Sequence, residues 1–484
     1  MNVIMLLMDS VRRDHLGFMG NPWIQTPSLN RLAARSTVFE NCYIGSFPCL
    51  PARRDLFTGK FEFPRRGWGP LEHTDYDLPG ILAAASKPSM LITDHYHLWS
   101  RGAGNYHFNF TGFEFIRGQE SDRWITDPGI PLDYGAPVEK LRQKPFLDPY
   151  IRNRYGRRKT ERDYFGPTVL QSAMDWVERN HTLKDFFLLV DCFDPHEPWD
   201  PPYPYNRLYN PQGRGDPVFW PEVGECQLSE EDLFQVRALY AGELTMVDRW
   251  IGLFLDKLEQ LGLMDKTMII FTTDHGEMLG EHGVIMKPWS AIGDSNLYQE
   301  MAHIPLIIYH PDQAQPRRRI SQLVQTIDLF PTILEAMGLP IPEDGQGRSL
   351  LPMTRGDDRP IRSYACYGRF GESINVTDGE WTLFCWPPGE SNEPLYWYSP
   401  LPPAAAWGGV KVTGPYSDGR YPAFVARGSS ATALYHLPTD YAQRHNLVTE
   451  RPDVVRRLKG YVAEFLKETG SPLEQLQRLG MTRE

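Results

Sequence analysis

Five stretches of the chain are apolar almost without interruption: NVIMLLM at 2–8, SMLIT at 89–93, FFLLV at 186–190, TMIIFTT at 267–273 and IPLIIY at 304–309. Continuous rather than alternating runs of aliphatic and β-branched residues predict strands covered on both faces. Between them the apolar positions recur at helical spacing, in PSLNRLAARS after Thr26, in TVLQSAMDWVERN from Thr168, and in a long amphipathic stretch from Ser229. There Ser229, with Asp232 three residues on, has the arrangement of an N-cap. The alternation predicts an α/β fold, a large doubly wound and mostly parallel sheet with helices on both faces. After Pro360 the texture changes to short strand-like pieces, SYACYG, INVTDGEWTLFCW and ATALYHLP, with Gly and Pro turns between them and a closing helix, PDVVRRLKGYVAEFLKE. The expected organisation is a large domain over 1–358 and a smaller α+β domain with an antiparallel sheet over 359–484. The polar segment TRGDDRP (354–360) joins them.

Composition narrows the function class. The chain has 484 residues and a net charge of −11, which argues against a general nucleic-acid binder. Its 60 aromatic residues and 41% hydrophobic content suit a large folded core. The 42 prolines, about 9% against an average near 5%, imply long ordered loops of the kind that shape pockets. The opening MNVIMLLMDS has neither a basic n-region nor a small-residue cleavage site, so it reads as a strand rather than a signal peptide. No segment approaches the roughly 18 uninterrupted apolar residues of a membrane helix. Six cysteines without paired spacing suit a reducing compartment. A soluble, cytoplasmic protein with no nucleic-acid or membrane partner is expected.

In open α/β sheets ligands bind at the carboxyl ends of the strands. Those ends are rich in acids and imidazoles: Asp9 after the first run, Asp94, His95 and His97 after the second, Asp191, Asp194 and His196 after the third, Asp274 and His275 after the fourth. Any one of them suits a turn or a helix cap; the set points to a metal or proton-transfer site. The most specific segment is FPCLPARRDLFTGK (47–60). Pro51 fits the first turn of a helix, which places Cys49 at the positive N-terminal end and Arg53 one turn later, facing a site built to hold an anion. Taken alone, Cys49 reads equally as a buried core cysteine.

This segment resembles the signature of type I sulfatases, in the alkaline phosphatase superfamily: Cys-x-Pro-x-Arg, four residues, then Thr-Gly. The resemblance extends along most of the chain. DSVRRDHLGFMG (9–20) is similar to the family's opening Asp-Asp-x-Arg-x-Asp-x-Leu-Gly, TPSLNRLAARSTVFENCY (26–43) to its Thr-Pro-Asn-Leu-Asp-x-Leu-Ala stretch, and TTDHGEMLGEHG (272–283) to its second metal segment. DLFPTILEAMGL (328–339) resembles its late helix and LYHLPTDYAQRHNL (434–447) the end of its smaller domain.

The resemblance implies that Cys49 is oxidised to formylglycine by a formylglycine-generating enzyme and that the hydrate of this aldehyde supplies a nucleophilic oxygen. It implies a divalent ion held by Asp9, Asp274, His275 and an oxygen of modified Cys49. Carboxylates, an imidazole and no thiolate partners suit Ca²⁺ or Mn²⁺ rather than structural zinc. It assigns Arg53 to the hydrate and the developing charge, His196 to protonation of the leaving group, Lys287 to the sulfate and leaving oxygen, and His97 to the base that releases sulfate. The implied reaction cleaves a small-molecule or saccharide sulfate ester to alcohol and sulfate.

Three positions depart from the family pattern. Ser10 stands where a second aspartate is usual, His275 replaces an asparagine, and His95 stands where a lysine usually precedes the histidine at 97, which makes His95 a substrate-binding candidate. The Asp-His pair and the missing aspartate also occur in phosphonate monoester hydrolases, formylglycine relatives that act on phosphonate monoesters and phosphodiesters. Three functions are therefore in view: a sulfuric ester hydrolase, a phosphonate monoester or phosphodiester hydrolase, and a metal- and anion-binding protein without turnover should Cys49 stay unmodified. The aromatic and proline-rich loops at 196–211 and 385–403 fit either a substrate cleft or packing.

Overall fold

The computed structural model describes residues 1–100, 103–313, 317–357, 359–389, 391–400, 409–413 and 419–481. Its centre is an eight-stranded sheet: β1 (Asn2–Met8), β2 (Thr37–Tyr43), β3 (Ser89–Thr93), β4 (Gly112–Phe115), β5 (Phe187–Cys192), β6 (Thr267–Thr272), β7 (His303–Tyr309) and β8 (Arg318–Gln325). The spatial order is β8-β2-β7-β6-β1-β5-β3-β4. Seven strands run in one direction, and β7 runs antiparallel to both of its neighbours.

Side chains of β1 divide between the two faces. Ile4, Leu6 and Met8 enter one apolar core, and Val3, Met5 and Leu7 the other. Helices cover both sides, which is why β1 needs no polar alternation. On the first face lie α1 (Pro27–Ala33), through Leu29 and Leu32, and two longer helices further along the chain, Phe165–Asn180 and Glu230–Gln260. The latter opens at Ser229, whose side chain accepts from the Asp232 backbone N–H. On the second face lies α2 (Cys49–Thr58), with the late helix Leu329–Ala336 beside it.

Five predicted strands are present, and the differences are physical. The third run is shifted to Phe187–Cys192, so that Asp191 pairs in register with Leu7 at the end of the sheet. The edge strands β4 and β8, and β2 beside β8, were not read from the sequence. RRISQLVQ in β8 is polar on its open side, as an edge strand needs to be, and carries no continuous apolar run.

The remainder of the chain builds antiparallel sheets. β9 (Ala365–Gly368), β10 (Ile374–Thr377), β11 (Trp381–Cys385) and β12 (Ala433–His436) pair in that order. One face packs Ile374, Val376 and Leu383 against Leu458, Val462 and Phe465 of the helix Pro452–Glu468. The other turns Ala365, Tyr367 and Phe384 into the core beneath the large sheet. The proposed division at 358 falls on a residue outside the described ones, between a short helix (Leu351–Thr354) and β9. In the loop at 196–211, Trp199, Tyr205 and Tyr209 are buried in the core, while Tyr203 is 79% exposed. In the loop at 385–403, of which 390 and 401–403 lie outside the described residues, Tyr396–Tyr398 forms a strand and Trp397 is buried. The buried aromatics of both loops pack, while residues 199–203 and Asn206 of the first also line an open cavity of about 560 Å³ with Tyr155, Arg158 and Phe219. No helix among the described residues is long and apolar enough to cross a membrane.

Candidate active site

The parallel neighbours β6, β1, β5 and β3 end on one edge of the sheet; Asp274, Asp9 and His95 follow from the ends of β6, β1 and β3, and Asp191 is the last but one residue of β5. The loop after β2 brings the first turn of α2 to the same place. Its course is fixed by buried Asp55, which accepts from the backbone N–H and hydroxyl of Ser46 (both 2.7 Å) and the N–H of Glu62 (2.9 Å). Burial pushes the Asp55 carboxyl up to about 7. At the far end of α2, Gly59 closes the helix with φ of 67°, and an added Cβ would lie 2.5 Å from the Phe330 ring. The Thr-Gly of the motif thus has a packing reason as well as a conformational one.

Asp9, Cys49, Asp274 and His275 each offer one donor atom, all within 4.8 Å of one another and all buried. Cys49 Sγ lies 3.2 Å from His275 Nε2. His275 Nδ1 faces the Gly276 carbonyl at 2.8 Å, and since a carbonyl only accepts, the proton belongs on Nδ1 and the Nε2 lone pair faces the cluster. Ser10, in the left-handed region at φ of 61°, donates its hydroxyl to Asp9 Oδ1 (2.8 Å) and its N–H to Asp274 Oδ1 (3.2 Å). It therefore orients both carboxylates.

Arg53 is enclosed by the cluster. Its Nε and Nη2 form a fork on Asp191 (3.2 and 2.6 Å), Nη1 donates to Asp274 (2.7 Å) and to the Cys49 carbonyl (3.2 Å), and Nη2 lies 3.1 Å from Asp9. Three buried carboxylates against one guanidinium leave two formal negative charges, an arrangement that a divalent cation would balance. The strain shows in the titration of Asp9, pushed well up by burial and by Asp274. Asp274 is held low: burial acts against its charged form, and His275 and Arg53 more than offset this. The set of two carboxylates and an imidazole fits a divalent ion. A thiol at the fourth position suits Ca²⁺ or Mn²⁺ less well than an oxygen.

Titratable side chains surround this cluster. His95 Nε2 lies 3.2 Å from Asp9 Oδ2, and its imidazole meets that of His97 edge-on, centroids 5.3 Å apart. His97 Nε2 pairs with Glu120 at 2.9 Å. His196 packs on the Phe193 ring and directs Nδ1 at the Glu197 carbonyl (2.7 Å), which leaves Nε2 as its free ring atom. Burial holds both His95 and His196 well below the usual imidazole range, and His275 down to about 4. Lys287 Nζ is gripped by Glu197 (2.7 Å) and Glu277, which leaves one of its three N–H donors for another partner. Burial, with Glu197 adding to it, raises Glu277 to about 8 despite the lysine.

The nine residues to which the resemblance gives a role, Asp9, Cys49, Arg53, His95, His97, His196, Asp274, His275 and Lys287, lie at this edge of the sheet or in the shell packed on it, and Asp191 joins them through Arg53. Asp94 and Asp194 do not join them: Asp94 accepts the Phe193 N–H (2.7 Å), and Asp194 accepts from Gly166 (2.9 Å) and Gln119 (2.7 Å). Sequence reasoning missed Glu197, Glu277, Glu120 and Ser10 as partners of these side chains. The first two lie inside the quoted motif segments, beside His196 and His275.

A sulfatase family model matches residues 1–339. An arylsulfatase of Clostridium perfringens is 24% identical over 418 residues, 77% of this chain and 82% of that protein. Among solved structures, phosphonate monoester hydrolase of Agrobacterium radiobacter superposes with a TM-score of 0.69 at 19% identity, covering 97% of this chain and 95% of its own. A protein solved in complex with its substrate D-glucosamine-2-N,6-O-disulfate also gives 0.69, at 18% identity, covering 98% and 99%. The two structural likenesses extend through the C-terminal sheets.

Proposed function

The chain belongs to the sulfatase family, and on that premise we propose that it is a sulfuric ester hydrolase that cleaves a sulfated saccharide or other small sulfate ester to alcohol and sulfate. The observation that carries this reading is the four-donor cluster of Asp9, Cys49, Asp274 and His275 at the first turn of α2, with Cys49 in the formylglycine motif. Cys49 is matured by a formylglycine-generating enzyme, and the aldehyde hydrate supplies the nucleophilic oxygen. The divalent ion, Ca²⁺ or Mn²⁺, supplies charge neutralisation for the sulfate oxygens. The six cysteines are unpaired, which supports the cytoplasmic setting expected from their spacing.

The remaining work belongs to side chains. Arg53 and Ser10 hold Asp9 and Asp274 in place for the ion. Lys287, fixed by Glu197 and Glu277, turns its remaining donor to the sulfate. His196 presents Nε2 to the departing oxygen and delivers a proton there as the imidazolium, since its Nδ1 proton stays on the Glu197 carbonyl and burial leaves the resting ring neutral; the negative charge of a bound sulfate favours that doubly protonated form. His97, with Glu120 behind it, takes the proton when sulfate is released, and His95 lies beside Asp9 at the substrate end.

Replacing His196 by Ala should lower kcat by about 10²–10⁴-fold on alkyl sulfates, whose leaving groups need protonation, and by about tenfold or less on 4-nitrophenyl sulfate. Equal losses on both would remove His196 from the acid role.

A second reading, phosphonate monoester or phosphodiester hydrolysis by the same groups, is favoured by His275 and Ser10 and by the likeness to the Agrobacterium radiobacter enzyme. Turnover of 4-nitrophenyl sulfate, a phenylphosphonate monoester and a phosphodiester by matured, metal-loaded protein decides between them. We expect kcat/KM for the sulfate to exceed the others by at least about tenfold. A phosphoryl preference sinks the first reading.

A further inference from the structure

The reaction outlined above leaves the buried guanidinium of Arg369 unused. Arg369 follows directly on β9, and β9 is stitched to the segment that leads into α2. Ser46 and Gly368 form a parallel bridge, the Gly368 N–H donates to the Gly45 carbonyl (3.0 Å), and the Phe47 N–H donates to the Gly368 carbonyl (2.9 Å). That pairing sets the Arg369 guanidinium over the Phe47 ring, 4.6 Å from its centre, and the same ring packs on His275 with centroids 4.8 Å apart. Arg369 Nη1 donates to the carbonyl of Pro288, the residue after Lys287 (2.8 Å). Arg369 thus contacts the chain two residues before Cys49 and one residue after Lys287.

A guanidinium binds a carboxylate or sulfate best through the parallel N–H bonds of Nε and Nη2. Arg53 shows that fork filled, by Asp191. In Arg369 neither Nε nor Nη2 has an acceptor among the described residues, although the side chain is only 6% exposed. Glu372 does not fill the fork. It approaches Nη1 at 3.5 Å, and the same oxygen accepts the Ser290 N–H at 2.9 Å. Glu372 also has a second cation nearby, since Arg478 Nη1 donates to its backbone carbonyl (2.8 Å). Lys287 and Arg53, by contrast, are each held by two or more carboxylates. Burial without a full partner holds the Arg369 guanidinium below its ordinary range.

We propose that Arg369 is a specificity-determining residue whose Nε/Nη2 fork takes a second oxyanion of the substrate, a carboxylate or sulfate carried on the alcohol portion, in addition to the sulfate cleaved at Cys49. The preferred substrate is accordingly at least a dianion. This rests on the sulfatase reading.

The test uses metal-loaded protein carrying Cys49→Ala, so that binding is read without turnover, with and without Arg369→Gln. Calorimetry gives Kd for 4-nitrophenyl sulfate and glucosamine 6-sulfate, which lack a second oxyanion, and for glucosamine 2-N,6-O-disulfate and a sulfated uronic acid, which carry one. At least one dianion should bind about tenfold or more tighter than the monoanions. Arg369→Gln should close that gap while moving the monoanion Kd values less than about threefold, and Arg369→Lys, which keeps the charge and loses the fork, should fall between. Melting temperatures check that the variants are folded. Equal affinities for mono- and dianions, a gap that survives Arg369→Gln, or equal weakening of both classes each overturn the proposal. Sulfate release by matured Cys49 protein is followed in parallel: a binding gap with no release would sink the sulfatase reading and leave Arg369 as an oxyanion site.

Discussion

Cys49→Ala protein, made in cells that contain the maturation enzyme, should release sulfate from 4-nitrophenyl sulfate at least about 10³-fold more slowly than the parent, because the aldehyde hydrate is the nucleophile of the proposed reaction and the other groups of the cluster, Asp9, Asp274, His275 and Ser10, are committed to one another, to the ion and to Arg53. The loss would be chemical rather than structural. Cys49 is small and sits in the first turn of α2, whose path is set by Asp55, Ser46 and Gly59, so the cavity left by its sulfur should cost about 1 kcal/mol. Melting temperature and metal binding should therefore survive, the latter weakened by one donor out of four. Mass measurement of the parent peptide spanning residue 49 completes the experiment. An aldehyde in place of the thiol, with activity lost in the variant, establishes the formylglycine route. Full activity from a peptide that is entirely unmodified cysteine would falsify it. Unmodified cysteine with no activity supports the metal- and anion-binding reading without turnover.

Legibility from the sequence follows the physics of each element. β1 and β6 are read almost to the residue because both of their faces are covered and their apolar runs are unbroken. β7 is equally apolar, yet it runs antiparallel to β2 and β6, and no apolar pattern encodes direction. β2 and β8 mix polar and apolar residues because they sit toward one edge. The site was legible wherever a ligand directly follows a strand, as Asp9 and Asp274 do, or sits in a spaced motif, as Cys49 and Arg53 do. It was not legible where a partner comes from a distant part of the chain. Lys287 is fixed by Glu197, 90 residues earlier, and His97 is paired with Glu120 from a loop with no motif. Arg369 lies in the turn after β9 and reaches the site only through the pairing of Gly368 with residues 45–47, which no spacing along the chain announces.

Removing Asp274 should separate metal binding from folding. In the parent, Ca²⁺ or Mn²⁺ at a hundredfold excess over its Kd should stabilise the protein by about 2.7 kcal/mol, read as a rise in melting temperature on addition of the ion. Asp274→Ala deletes one of two carboxylate donors and the Nη1 partner of Arg53. The ion-dependent rise should disappear, and turnover should fall by at least about 10³-fold. Without the ion the two proteins should melt within a few degrees of each other, because two consequences oppose. Arg53 loses one buried bond but keeps Asp191 and Asp9. Asp9 loses the neighbour whose charge, after burial, does most to push its carboxyl up, so it ionises more readily and pairs better with the arginine. An Asp274→Ala protein that still gains stability from the ion, or that turns over at near-parent rates, would remove Asp274 from the metal site and leave it the charge balance around Arg53 and its bonds from the Ser10 and His275 N–H groups.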